Sequence, residues 1–478
     1  MTSPASEAGA ASTGAGRREG VWSLLRQAVA GTPQDYTEGH LGRAVFLLSV
    51  PMILEMVMES VFGIVDVFLV GRLGPEAVAA VGVTESLLTV VFALAMGLSM
   101  ATTALVARRI GEKDPEAAAK TAVQVIAVGL LAAVPVAFVG LRWPRELLAL
   151  MGAPPAVVEI GGGYAAWMLG GNASILLLFV INAAFRGAGD ASVAMRSLWL
   201  ANAVNLVLDP CLIFGLGPFP ELGVTGAAVA TTLGRSVGVI YQLSALASGR
   251  GRLVVRRRHL RFEAGLVVRL LRLSVGATLQ FLIATASWLG LVRILTPYGA
   301  ATIAGYTIAI RIIIVALLPS WGMSNAVATL VGQNLGAGKP ERAERAVWIA
   351  GLYNMVLLLG VAAAFIFAAE PMLAVFSADP DVRAWGASCL RVVSYGYAFY
   401  AWGMVLVQAF NGAGDTLTPT WINLFCYWLF QIPLALVLAH GLELGPLGVF
   451  MAITVAESVL AVVGLAVFRR GRWKERVV

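Results

Sequence analysis

The chain is poor in charge. Only 13% of its 478 residues are Asp, Glu, Lys or Arg, against 59% apolar. Soluble domains of ordinary composition carry about a quarter of their residues as charges, so a water-exposed globular protein is excluded. Cysteine is scarcer still. Cys211, Cys389 and Cys426 lie in or beside apolar runs, with neither metal-ligand spacing nor a disulfide framework, and read as small packing residues. The sequence also lacks His-Glu-x-x-His, Gly-x-Ser-x-Gly and Cys-x-x-Cys motifs. Its nearest approach to a phosphate loop is Gly336-Ala337-Gly338-Lys339. Gln333 stands there where an upstream glycine is required, and Pro340 where Ser or Thr should follow. Enzyme chemistry and ATP-driven pumping have no residues to work with, and no cofactor is expected.

What the chain does have is length of apolar run. Stretches of about 20 residues, enough to cross a bilayer core, recur almost throughout. Twelve spans are expected, at 44–69, 78–107, 119–141, 157–184, 192–215, 225–247, 269–294, 302–330, 344–368, 384–409, 418–439 and 447–468. The formal charge of +7 is a topology signal and not a nucleic-acid footprint, because the basic residues sit in short loops at alternate membrane exits. Arg108, Arg109 and Lys113 follow the second span; Arg250, Arg252, Arg256, Arg257, Arg258 and Arg261 follow the sixth. Lys339, Arg342 and Arg345 follow the eighth, and Arg469, Arg470, Arg472 and Lys474 the twelfth. Both termini are therefore expected in the cytoplasm, in a multi-pass protein of the cell (inner) membrane. The polar first residues lack an apolar signal core and read as a cytoplasmic tail.

The chain also contains itself twice. A shift of 225 positions brings Gly74 onto Gly299, Pro115-Glu116 onto Pro340-Glu341, and Gly187-Ala188-Gly189-Asp190 onto Gly412-Ala413-Gly414-Asp415. In the same register Leu222-Gly223 falls on Leu447-Gly448. Six spans per copy make the repeats parallel, with an axis along the membrane normal and a cleft between them. The expected fold is an all-α integral membrane protein, twelve transmembrane helices in two six-helix lobes related by a pseudo-twofold. The expected divisions are a tail at 1–42, an N-lobe at 43–247, a basic linker at 248–268, a C-lobe at 269–468 and a basic tail at 469–478. The linker should lie as a helix at the membrane surface, where anionic lipid would favour it.

The two copies differ most in acid content. Asp66 and Asp209 of the first face Leu291 and Leu434 of the second. A carboxylate near the bilayer centre costs about 2.5–3.5 kcal/mol even on lenient insertion scales, so each one needs a reason. Glu55, Glu59 and Asp66, at steps of four and seven, share one face of the first span. Asn205 and Asp209 share a face of the fifth. Both helices run outward, and Asp66 and Asp209 lie about 5–10 Å short of their outer ends, so they can share a depth. Two carboxylates at one depth repel unless a proton or a cation intervenes. A sodium ion there could take further oxygens from Asn205 and Thr231. The alternative is static pairing with Arg235 of the sixth span, which matches Glu59 in depth. Glu85 and Glu457 are single acids a few turns into their spans. Pro51, within the first span, removes a backbone hydrogen bond and permits a bend that would carry the acid row with it. The Gly-Ala-Gly-Asp repeats read as helix ends in which Asp190 and Asp415 cap the next helix. Tyr395, Tyr397 and Trp402 of the tenth span, with Gln280 and Trp288 of the seventh, could line a site for a cationic or flat aromatic ligand, or simply pack.

Val331-Gly332-Gln333-Asn334-Leu335-Gly336-Ala337-Gly338-Lys339-Pro340-Glu341-Arg342-Ala343 resembles the multidrug and toxic compound extrusion (MATE) family. Pro51 with Val65-Asp66, Gly71-Arg72-Leu73-Gly74, Ala184-Phe185-Arg186-Gly187-Ala188-Gly189-Asp190, and Asn205 with Asp209-Pro210 extend the resemblance over roughly 41–470. The resemblance implies a V-shaped pair of lobes and antiport of small organic cations against protons or sodium. It carries the family's N-lobe cation site to Asp66, Asn205 and Asp209, less securely to Thr231, and its bending proline to Pro51. The seventh and tenth spans lack the acids that another branch uses, so the chain resembles the branch that couples through its N-lobe. Glu55 and Glu59 map to no general family role. The expected protein is an efflux antiporter acting as a monomer in lipid. Its rivals are a lipid-linked saccharide flippase of the same superfamily, and a passive channel or receptor.

Overall fold

The computed structural model describes residues 21–31, 34–249 and 251–476. Most of the expected 1–42 tail, the linker's Arg250 and the last two residues of the C-terminal tail lie outside the described residues. Every regular element among those described is helical. A short helix α1 (Val21–Ala30) precedes the first lobe, which holds α2 (Leu41–Gly71), α3 (Pro75–Gly111), α4 (Pro115–Arg142), the short α5 (Pro144–Leu150), α6 (Pro155–Gly170), α7 (Asn172–Ala188), α8 (Ala191–Phe214) and α9 (Val224–Ser248). The second lobe holds α10 (Ala264–Leu295), α11 (Ala300–Gly336), α12 (Pro340–Ala374), α13 (Pro380–Ser394), α14 (Tyr397–Gly412), α15 (Leu417–Asn423), α16 (Ile432–Leu436) and α17 (Pro446–Arg469). Eight of these helices are long and apolar enough to cross a membrane, or ten when two bent pairs each count as one span. With α2 and α9 they make the twelve spans of the two lobes.

Proline and glycine punctuate the bundle. Pro75, Pro115, Pro155, Pro340, Pro380 and Pro446 open helices, where a missing N–H costs nothing and the fixed φ suits the first turn. Gly74 and Gly299, in matching places before α3 and α11, have φ of 107° and 95°, a conformation that a side chain would strain. The fourth and tenth spans, expected as continuous helices, are broken: α6 and α7 meet at 40°, α13 and α14 at 62°. The breaks fall at Gly171 and Gly396, 225 positions apart. There, a Cβ on Gly171 would meet Thr232 at 2.5 Å, and one on Gly396 would meet Thr454 at 3.0 Å. The bends let these helices pass close to the last helix of their own lobe.

Two glycine pairs in repeat register pin the lobes at one end. A Cβ on Gly97 of α3 would lie 2.7 Å from the Ser274 carbonyl of α10; one on its counterpart Gly322 of α11 would lie 2.5 Å from the Met52 carbonyl of α2. Gly111 sits against the Gln333 carbonyl and Gly336 against that of Arg108. A third pair acts inside each lobe, Gly187 packing on Thr103 and Gly412 on Ala328. All these crossings are in the half of the bundle that carries both termini. Thr329 Oγ1 donates to the Arg186 carbonyl at 3.1 Å and Gln333 Nε2 to the Gly187 carbonyl at 2.8 Å, both from one lobe to the other. The cleft between the lobes is closed on that terminal face.

The unbroken register does not extend to the last spans. Gly226 and Gly448 do the same job, each packed on the backbone of the preceding span at Leu212 and Leu438, yet they are 222 positions apart. The slip comes from the loop before the last span, nine residues at 215–223 against four at 442–445; π-helical turns at Leu424–Gln431 and Val437–Gly441, which have no counterpart in α8, take in extra residues and offset it only in part. The acid asymmetry survives the correction, because neither α10 nor residues 417–441 contain an Asp or Glu at all. Between the lobes the chain makes a single 3-10 turn, Arg257–His259, where a surface helix was expected. Leu253 and His259 turn inward there and bury against the first lobe.

Candidate functional site

Asp209 of α8 is wholly buried, with Asn205 one turn earlier and Thr231 of α9 beside them. Asn205 Nδ2 donates to Asp209 Oδ1 at 3.3 Å and to Thr231 Oγ1 at 3.1 Å. Asp209 Oδ2 and Asn205 Oδ1 are buried without a hydrogen-bond partner. Two oxygens with free lone pairs and no donor form an environment that a cation or a proton would satisfy. Asp66 of α2 is half-buried and acts electrostatically on Asp209. Tyr164 of α6, almost fully buried, lies within reach of both carboxylates and of Arg235. Three of the elements that meet here, α2, α8 and α9, carry residues singled out in the sequence; the fourth, α6, does not. Tyr164 is a lone polar residue among glycines and alanines, which no pattern distinguishes from a packing aromatic.

Arg235 does not pair with Glu59. It forms no ion pair among the described residues, its Nη1 is buried without a partner, and it acts electrostatically on Asp66. Glu59 instead accepts a long hydrogen bond from Asn202 Nδ2 at 3.4 Å. Helix α2 runs through Pro51 without a break in its assignment. Asp190 does not cap α8; its Oδ2 accepts from the backbone N–H of Arg252 at 2.9 Å, because the linker returns across the helix start. Asp415 Oδ1 accepts a long capping bond from the Thr418 backbone N–H at 3.4 Å, and its Oδ2 accepts from Thr418 Oγ1 at 2.7 Å. No group of three or more His, Cys, Asp or Glu side chains placed to hold a metal occurs among the described residues.

Glu55, on the same face of α2, is met from α7 through one carboxylate oxygen, its Oε2 being buried without a partner. Arg186 Nη1 lies 2.8 Å and Asn182 Nδ2 3.1 Å from Glu55 Oε1. Ser197 and Gln242 donate in turn to Asn182 Oδ1, at 2.9 and 2.6 Å. A buried pair so supported is neutral as a unit. Its detectable sign in the sequence is Asn182 and Arg186 one turn apart in an otherwise apolar span, the same spacing as Asn205 and Asp209.

Glu55 and Glu59 border a cavity of about 240 Å³ between the lobes. Met56, Met96, Met100, Phe92, Phe179 and Leu178 line it from the first lobe, and Phe281, Leu318, Trp321, Asn325, Gln408 and Asn411 from the second. The residues expected to line a ligand site lie elsewhere. Gln280 is buried beside Phe281 and Trp288 is packed in the second-lobe core. Tyr397 stacks among Phe365 and Tyr400, Trp402 lies on Gly351 and Trp348, and Tyr395 faces outward at 65% exposure. The break at Gly396 turns the aromatic row away from the cleft.

Comparison with known proteins is consistent with this geometry. The MatE family model matches twice, at residues 51–211 and 277–437, once in each lobe. The probable multidrug resistance protein YoeA of Bacillus subtilis is 26% identical over 431 residues, 89% of this chain and 93% of that one. The probable multidrug resistance protein NorM of Thermotoga maritima is 26% identical over 441 residues, 90% of this chain and 93% of its own. A solved MOP-superfamily transporter from Pyrococcus furiosus superposes with a TM-score of 0.86 at 28% identity, covering 92% of this chain and 98% of that one.

Proposed function

The chain belongs to the multidrug and toxic compound extrusion family, and from that premise we propose that it is a secondary multidrug efflux transporter that exchanges amphipathic organic cations for an inward-moving proton or sodium ion. The observation that carries the coupling half is the unpartnered oxygen pair of Asp209 and Asn205, buried beside Asp66 in one lobe only. An entering proton or sodium ion offsets one of the two carboxylate charges and so relieves their repulsion, which favours the arrangement in which α2 closes on α8. An ion can shift a conformational balance only by the difference in its affinity for the two states, and a site split between two helices supplies that difference.

Pro51 supplies the hinge in this reading. The carbonyl one turn before it receives no N–H, so α2 bends there at lower cost than elsewhere. The Met52 carbonyl just beyond it is the surface on which Gly322 of the other lobe rests, so a bend would act directly on the crossing that closes the cleft. The substrate half rests on the cavity. Methionine and aromatic walls accept varied apolar bodies. Because Arg186 offsets Glu55, Glu59 is the carboxylate left to attract a positive headgroup. In this reading both termini and the closed face lie in the cytoplasm, the cleft opens outward, and the protein works as a monomer in the cell membrane.

The test is efflux of a cationic dye from proteoliposomes under separately imposed pH and sodium gradients. Wild type should move dye against its gradient with one of the two ions, and Asp66→Asn and Asp209→Asn should reduce this to the leak at normal folding. Undiminished gradient-driven efflux in either variant would refute the coupling role.

A further inference from the structure

Glu457 is the acid that the N-lobe account leaves unused. It stands in the middle of α17, eleven residues after Pro446 and twelve before Arg469, or about 17 Å from either end. It is 7% exposed. No basic side chain pairs with it among the described residues, and α10 keeps Arg269, Arg272 and Arg293 near its two ends, away from this depth. Its surroundings are phenols. Tyr427 OH donates to Glu457 Oε1 at 3.2 Å, and Tyr400 and Tyr397 of α14 lie within its electrostatic reach, their rings 6.2 Å apart. The remaining titratable neighbours, Cys426 and, beyond Tyr397, Cys389 of α13, carry no charge to offset.

Two further observations mark the place as more than a packed corner. Tyr397 OH is buried with no hydrogen-bond partner. Tyr427 belongs to the eight-residue π-helical stretch Leu424–Gln431, a rare geometry that recurs where a helix is adapted to a function. The matching stretch of α8 is regular α-helix, so the distortion is specific to the lobe with the lone acid. A carboxylate at mid-membrane without a cationic partner must hold a proton or release it into a site that can return it.

We propose that Glu457, with Tyr427, Tyr400 and Tyr397, forms a second ion site, in the C-lobe, whose ligand is a proton. Protonation converts the carboxylate to the acid and reverses the polarity of its contact with the Tyr427 hydroxyl; loss of the proton to the bath restores the carboxylate as the acceptor of that hydroxyl. The link to transport rests on the antiport reading above, whereas the protonation itself does not.

The experiment is infrared titration of the full chain reconstituted in lipid, with dye binding and gradient-driven efflux measured on the same preparations. Wild type should show a carboxylic-acid carbonyl band that fades as the bath is made alkaline. Glu457→Gln should lack it, and Tyr427→Phe should move it to higher frequency. Efflux in Glu457→Gln should fall about tenfold or more with dye binding retained. A band that is absent, that ignores pH, or that follows sodium at fixed pH overturns the proposal, as does wild-type efflux in Glu457→Gln. If that variant does not fold, Tyr427→Phe carries the band test alone. Asp209→Asn run alongside separates the two sites: efflux lost only there leaves the N-lobe reading standing and removes this one, and the converse removes the other.

Discussion

Gly111 at the end of α3 rests on the main-chain carbonyl of Gln333 in α11, and the pseudo-twofold repeats the contact with Gly336 on Arg108. The two helices thus cross where neither can carry a side chain. A methyl at either glycine would overlap a carbonyl oxygen that belongs to the backbone of the other lobe and cannot rotate away. Gly111→Ala and Gly336→Ala should each loosen the closed face at a cost of about 1–3 kcal/mol, typical of overpacking. Thermal unfolding in detergent should show the loss, and amide exchange at 107–111 and 332–336 should quicken. Unchanged exchange at both segments would mean that the crossing does not hold the face shut.

The Glu55–Arg186 pair makes a different kind of claim, because each charge is buried on the strength of the other. Removing one partner leaves an uncompensated charge and should cost about 3–5 kcal/mol, whereas removing both should cost less than the sum. A double-mutant cycle of Glu55→Ala and Arg186→Met, followed by thermal stability, measures the coupling. Additive losses would show that the two side chains act independently.

The linker offers a pH test outside the membrane. Glu116, in the first turn of α4, meets His259 Nε2 at 2.6 Å and also Arg258, and these contacts hold its carboxyl below the ordinary glutamate range. A carboxyl whose value is lowered by folding contributes stability above its unfolded value, and that contribution fades as pH falls through the lowered one. Amide protection at 251–263 should therefore weaken below about pH 4, under the unfolded glutamate value. Glu116→Gln should show the weakened protection at neutral pH already. Identical pH profiles in the two proteins would remove the latch.

Much of this architecture was legible in the chain because membrane helices announce themselves by length and because the repeat doubles every signal. Gly97 with Gly322, Gly111 with Gly336 and Gly171 with Gly396 are in register, and in each pair both members meet the same structural demand. The meeting of Asp209, Asn205 and Thr231 was legible for a related reason: polar side chains in an apolar span have few partners to choose from. Whether the aromatic row of the tenth span lines a site or packs was left open because its facing depends on the break at Gly396, and periodicity assumes a straight helix. The three-residue slip before α17 was hidden because the shortened loop offers Leu-Gly twice, at Leu444-Gly445 and at Leu447-Gly448, and only the second fits the unbroken register. Arg186 was visible as part of a motif, but its role depends on which face of α2 it meets, and that is set by packing.

Glu59 gives the most direct reading of substrate class. Its neighbour Glu55 is matched by Arg186, while Glu59 has only the 3.4 Å contact from Asn202. Both border the cavity, so Glu59 is the acid whose charge the apolar wall of Met56, Met96 and Phe92 leaves exposed to a ligand. A cationic headgroup there gains an attraction that a neutral analogue of the same shape does not. Glu59→Gln should weaken a cationic dye by about tenfold, roughly 1.4 kcal/mol, and leave a neutral analogue within twofold. Equilibrium fluorescence titration of both ligands, at low and high salt, reads the difference. Equal losses for the two would place the effect in the shape of the cavity, and no loss for either would put the cation-binding group elsewhere.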